Sequence, residues 1–408
     1  MSPVQKALAA GAARGLSATG VKFDTISRSR ISGTMDQNDH SHLNPAKGYS
    51  AINAEPRVRP DELAAFVENV FLRIGMDEAS SKAVTRVMMH GSRLGVDSHG
   101  VRLLAHYIKE IDGNCINKQP KPKFTRTRPG AGVLDGDNGH GGFVATVAMD
   151  HAIALAREAG IGAVAVQRSN HFGAAGAYPM QAVEAGLIGL STCNTDAFVH
   201  LHGSKLPFHG TNPFAIGAPV AGQRPWLLDF ATSSIPVNRV MLYRSLGIGV
   251  PPDTAVDSEG KPTTDSQRAT GLLPLGGTLF GFKGAGLGGL AEVLSAALTG
   301  MRASVDIPAW DSVGKPRELG QFVLAIDPEA FVPRAVYDGI MTGYLASLRG
   351  MEPAEGAEPP MAPGDREWRI EEERKLNGIP IDPATFRVFA EAGERFGLTP
   401  PKVLQGNA

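Results

Sequence analysis

The 408 residues, 42% of them hydrophobic, exceed the roughly 250–300 that one core usually holds, so two globular domains are expected. A formal net charge of −1 leaves no basic field for nucleic acid, and the longest apolar runs, such as GIGAVAV at 160–166, fall far short of the ~20 residues of a membrane helix; a soluble protein with a small-molecule partner is expected. Cys115 and Cys193, the only cysteines, sit in neither a CxxC nor a CxxH spacing, which argues against a disulfide framework and suits a cytoplasmic setting.

Residues 1–55 read as an extension. MSPVQKALAAGAARGLSATGVKF carries no acid through Phe23, the composition of a transit peptide or of a disordered tail, and the polar SGTMDQNDHSHLNPAKG follows. PDELAAFVENVFLRIG (60–75) predicts a helix, with Pro at its start, acids in its first turn and Gly as its stop; EASSKAVTRVMMHGSRLG (78–95) repeats the spacing. An α/β alternation begins near Gly130: the turn DGDNGHGG, a helix over FVATVAMDHAIALAREAG, a strand over IGAVAV, then QRSNHFGAAG. Helix AYPMQAVEAG, strand LIGLSTCN, a loop holding HGTNP and strand PWLLDFATSS carry it to about residue 235. The glycine-rich LLPLGGTLFGFKGAGLGG is expected to precede a helix over LAEVLSAALTG, and FVLAID (322–327) reads as a further strand. GMEPAEGAEPPMAPGDRE is a long loop by its Pro and acid content, and DPATFRVFAEAGERFG is helical.

Four constellations bear chemistry. Asp97, Ser98 and His99, within GVDSHGVRLLAHY, invite a hydrolase triad, but adjacent side chains point apart and no GxSxG elbow occurs. His200, His202 and His209 could hold zinc only by converging, and they lack a carboxylate or cysteine companion, so no metal is expected. Gly284, Gly286 and Gly289 spell GxGxxG without the strand that must lead into it. Two readings stay open there: Lys283 with a helix N-terminus holding a phosphate, or a run of small residues packing a helix. Finally, His99 stands where an extended GVDS gives way to a helix, and His171 follows a strand inside SNHFGAAG. Strand ends of this kind hold reacting groups rigidly, and imidazole suits proton transfer near neutral pH.

SHGV with a tyrosine eight residues after the histidine, DGDNGxG, SNHFGAAG, GTNPFAIGAP, DFATSS, GKPTTD, GFKGAG and MAPGDRE occur here in one order. Together they resemble the malate/L-lactate dehydrogenase family of NAD(P)-dependent oxidoreductases, which includes ureidoglycolate and sulfolactate dehydrogenases and cyclic imine carboxylate reductases, across about residues 60 to 395. The resemblance implies an α/β fold with a non-Rossmann mixed β-sheet and flanking helices binding the cofactor (126–329). It further implies a helical, substrate-side domain built from both chain ends (56–125 and 330–408), and a homodimer. It implies His171 as the proton acceptor and donor, Ser98 and His99 in the same pocket, and Tyr107 beside them. Thr195, Asp229, Phe230, Ala231, Lys283, Gly364, Asp365 and Arg366 fall at cofactor-contacting positions, the cofactor being NAD or NADP. The implied substrate is a small 2-hydroxy or 2-oxo carboxylic acid or, alternatively, a cyclic imine carboxylate.

Three departures matter. The family arginine stands four residues after the histidine, whereas Arg102 stands at plus three with Leu103 in the usual place, and one residue turns a helix by about 100°. Arg102, a candidate partner for the substrate carboxylate, is therefore turned away from the family direction. Arg239, in PVNRV, takes a place where family members carry Lys or Asp, and is a second candidate substrate contact. TLFG between LLPLGG and Lys283 is expected to lengthen a loop beside the cofactor.

Overall fold

A computed structural model describes residues 56–404, apart from Asp311 and Val313. The expected extension over residues 1–55 lies outside the described residues.

Helix α1 (Pro60–Arg73) starts at a proline whose missing N–H costs nothing there, and buries Leu63, Phe66, Val67, Val70 and Phe71. Helix α2 (Glu78–Arg93) is capped by Asp77, which accepts from the Ser80 N–H at 2.9 Å. The expected extended GVDS is instead a pair of 3₁₀ turns, Asp97–His99 and Val101–Leu103, leading into α3 (Leu104–Asp112). Close packing imposes this, since a Cβ on Gly100 would lie 2.3 Å from Ser92 Oγ.

The main sheet has seven strands: β1 (Lys123–Arg128), β2 (Ala131–Asp135), β3 (Ile161–Ser169), β4 (Ile188–Cys193), β5 (Phe214–Ala218), β6 (Trp226–Phe230) and β7 (Leu319–Ile326). Their spatial order is β1-β2-β3-β7-β4-β5-β6, and only β2 and β3 pair in parallel, joined through α4 (Gly141–Ala159). The mixed, non-Rossmann sheet read from the resemblance is thus present. Helices α4 and α5 (Ala177–Glu184) cover it over a core of Val144, Ala148, Val164, Val166, Tyr178 and Val323. A smaller five-stranded sheet includes Val199–His200 and Gly271–Leu272. Beside it runs α6 (Val237–Leu246).

A second core draws on both ends of the described chain. Val58 and Leu63 through Ile116 meet Ile379, Ile381 and Phe389, and Arg57–Val58 pairs antiparallel with Ile379–Pro380. Two expectations need correction. The glycine-rich stretch is no loop but helix α7 (Gly277–Glu292), continued by a π-helical turn, Val293–Ala297. Its glycines permit close approach: a Cβ on Gly284 would lie 2.4 Å from the Leu275 backbone, and one on Gly288 2.9 Å from His209 Nδ1. TLFG supplies the first turn of this helix, and Lys283 stands inside it rather than at its N-terminus. Secondly, α8 (Arg334–Arg349) does not join the helical core; its buried Leu345 packs with Val220 and Ala362 beside Trp226, at the sheet edge. Helices α9 (Asp365–Asn377) and α10 (Pro383–Phe396) complete the described chain, and none of the described helices is long and apolar enough to cross a membrane.

Sheet and helix meet tightly at Gly162, where a Cβ would lie 2.0 Å from the Ala152 carbonyl oxygen of α4. Gly162→Ala should lower stability by about 2 kcal/mol or more, because neither backbone can yield alone. Gly339→Ala, in α8 with open space around it, should gain about 0.5–1 kcal/mol. Urea midpoints at unchanged slope measure both; equal stability of the two variants would refute the packing argument.

Candidate active site

Strand direction concentrates chemistry at one end of the sheet. β3, β4 and β6 all run toward it, and β7, antiparallel to β3 and β4, starts from it. His171 follows β3, Thr195 and Asp196 follow β4, Asp229–Ala231 close β6, and Arg317 precedes β7. These residues line a cavity of about 320 Å³ whose opposite wall is Ser98, His99, Leu103 and His106.

Two short contacts set the histidines. His171 Nδ1 lies 2.9 Å from the Tyr107 hydroxyl, and His99 Nδ1 lies 2.9 Å from Ser98 Oγ. The His99 and His171 rings stack with centroids 5.8 Å apart, and His106 meets His171 edge-on at 6.3 Å. Adjacent Ser98 and His99 do touch, because the 3₁₀ turn brings their side chains together. The segment is braced from behind: Val101 N–H donates to Ser92 Oγ at 2.9 Å, and Asn238 Nδ2 donates to the Ser98 carbonyl at 3.1 Å. Asp97 makes no side-chain cap; both its oxygens take the guanidinium of buried Arg374, from α9, 277 residues away.

Desolvation governs the charges. Burial pulls His99 and His106 down to about 4, and holds His171 well below 6.5 with help from His99, His106 and Arg317. All three rings are therefore neutral at neutral pH. Burial pushes Asp229 up to about 6, against the Gly176 N–H that donates to it at 2.7 Å.

The sequence-derived candidates divide into two groups. Ser98, His99, His171, Thr195, Asp229, Phe230 and Ala231 line the cavity, and Tyr107 touches it through His171. Arg102 does not line it: its Nε lies 3.3 Å from Asp382, the N-cap of α10. Arg239 stands on α6 beside cavity-lining Asn238 but outside the wall. Lys283, with Nζ 5.4 Å over the Phe280 ring, is also outside. Arg366 is likewise outside and lies 3.5 Å from Glu367. Gly364, at φ 96°, packs on Leu227 near the far end of β6 from Asp229. Asp365 binds Arg349 through both oxygens at 2.7 and 3.0 Å in a shallower pocket with Arg224 and Trp368.

Sequence reading missed Arg317, Asp196, His106 and Trp310. Arg317 is buried, one terminal nitrogen paired with Asp196 and Nε enclosed without a hydrogen-bond partner, and its side chain is part of the cavity lining. Its place just before the strand LGQFVLAI obeys the same strand-end logic that marked His171. The histidines of the HxH loop do not converge: His209 packs on Gly288, His200 Nδ1 faces the Ser204 carbonyl at 3.3 Å, and no group of three or more metal-binding side chains occurs among the described residues.

Chemically, the cavity offers a positioned neutral imidazole, a buried guanidinium and partly apolar walls. A malate/L-lactate dehydrogenase family model matches residues 58–389. Malate dehydrogenase from Pyrococcus abyssi is 35% identical over 86% of this chain and 98% of its own length. Delta(1)-pyrroline-2-carboxylate reductase from Pseudomonas fluorescens is 31% identical over 69% of this chain and 83% of its own. The solved structure of sulfolactate dehydrogenase from Methanocaldococcus jannaschii superposes with a TM-score of 0.78 at 32% identity, covering 84% of this chain and 98% of that one. The chain belongs to the malate/L-lactate dehydrogenase family, and is an oxidoreductase acting on carboxylic acids, with a nicotinamide cofactor implied by that membership.

Proposed function

We propose that the chain moves a hydride between NAD or NADP and a small 2-hydroxy or 2-oxo carboxylic acid, with His171 taking and returning the hydroxyl proton. One observation carries this reading: a neutral imidazole, oriented by Tyr107 at the sheet end, shares its cavity with a buried guanidinium.

With its proton on Nδ1 and donated to the Tyr107 oxygen, His171 leaves Nε2 to accept the proton of a carbinol. The C–H pair leaves as hydride while that O–H proton passes to His171, and the carbinol carbon becomes a ketone. The bound nicotinamide supplies hydride acceptance in this direction and donation in the other. The residues present fit such a ring: Phe230, Ala231 and Thr195 give a mixed apolar and hydroxyl wall, and Asp229 stands beside them. Gly364, Asp365 and Arg366, near the other end of β6, and Lys283 are assigned to parts of the cofactor remote from the reacting ring. The substrate carboxylate is assigned to Arg317, whose planar fork matches it, rather than to Arg102, which Asp382 holds elsewhere. No substrate contact is assigned to Arg239. Ser98 keeps His99 against His171 and closes the wall.

The helical unit is then the substrate side and the sheet the cofactor side. A second copy of the chain is the proposed occupant of the exposed apolar residues of α7, Leu279, Phe280, Phe282 and Leu290, giving a homodimer. The free, buried Cys115 and Cys193 accord with a cytoplasmic setting. A cyclic imine carboxylate is the second reading, favoured by the similarity to a pyrroline-2-carboxylate reductase; Arg317 would hold the same carboxylate.

Absorbance of reduced nicotinamide, followed with 2-oxo acids and cyclic imines, tests both. His171→Ala should lose roughly 10²–10⁴-fold in turnover while binding cofactor unchanged; wild-type turnover would refute the role. Arg317→Ala should raise KM far more than Arg102→Ala, and the reverse order would return the carboxylate to Arg102. Because protonation removes the base and burial depresses its pKa, kcat/KM for hydroxy-acid oxidation should hold as pH falls through 6.5 and fail only below it. An acid limb centred at or above 6.5 would count against His171.

A further inference from the structure

Three charged side chains line the cavity among the described residues: Asp196, Asp229 and Arg317. Arg317 is paired with Asp196, and no other Lys or Arg lines the cavity among the described residues, so a single substrate carboxylate takes up the positive charge there. Beyond it the wall turns apolar and aromatic, with Leu103 at the place where a cation would reach the ligand and the Trp310 ring 5.1 Å from that of His106.

Behind His106 lies a further acid. Glu110 is 2% exposed, its Oε2 is 3.3 Å from His106 Nε2, and neither of its oxygens accepts a hydrogen bond. Burial pushes its carboxyl up to about 7, so it adds negative or neutral character and never positive. Burial keeps His106 neutral, so beside Glu110 it brings no full positive charge to this end of the cavity. A wall of neutral and apolar groups backed by an acid opposes a carboxylate and suits an uncharged side chain.

We propose that this end of the cavity selects against a second carboxylate, so that the substrate is a 2-oxo or 2-hydroxy monocarboxylic acid with an uncharged side chain, His106 and Glu110 being the specificity-determining pair. The inference rests on the hydride-transfer reading above. An anion left without a cation at this end, at an effective dielectric near 20, is penalised enough to cost about tenfold or more in kcat/KM.

Matched pairs test it with the full chain and both reduced cofactors: 2-oxobutanoate against oxaloacetate, and 2-oxopentanoate against 2-oxoglutarate. The monocarboxylate of each pair should lead by about tenfold or more in kcat/KM. Glu110→Gln and, independently, Leu103→Lys should narrow that lead through the KM of the dicarboxylate, with melting temperature confirming that each variant folds. A dicarboxylate that equals or exceeds its partner in the wild type overturns the inference while leaving the hydride-transfer reading intact. Turnover of no member of either pair overturns that reading and this inference with it.

Discussion

The fold turns on where one late strand is inserted. β7 enters the sheet between β3 and β4, antiparallel to both, and its registers with each run almost the length of the strand. An antiparallel strand between two that point the same way brings their ends and its own beginning to one edge. That single arrangement collects His171, Asp196 and Arg317, which are far apart in sequence. Without it, the guanidinium of Arg317 has no reason to lie beside an imidazole 146 residues earlier.

The same edge explains the electrostatics. Packing the 3₁₀ turns of the SHG segment against it removes water from three imidazoles at once, and desolvation then keeps them neutral more strongly than any neighbouring charge. Water exclusion also demands that the arginine there be matched, and Asp196 matches it. Acid–base competence and limited net charge are two results of one burial.

Much of this was written locally in the chain. Helix starts such as Pro60 and Asp77, and the SNHFG turn after a strand, depend on neighbours within a few residues. The ordered family motifs carried the mixed sheet, which spacing alone did not. What stayed illegible is non-local: the Arg102–Asp382 pair, the Arg374–Asp97 pair and the Arg317–Asp196 pair each join residues more than a hundred positions apart. The glycine run around Lys283 misled for a different reason. Glycine content predicts a loop by backbone entropy, but here close contact with Leu275 and His209 outweighs it, and the run is helical.

The Arg374–Asp97 pair has a temporal meaning as well. The turn carrying Ser98 and His99 leaves the ribosome early, yet the guanidinium that braces it belongs to α9, and the strand partner of Arg57–Val58 comes later still. The helical core is therefore completed only when Ile379, Ile381 and Phe389 are available, nearly at the end of the described chain. One wall of the cavity is thus completed late: a chain stopped before α9 would own most of its catalytic side chains while lacking the guanidinium that anchors Asp97.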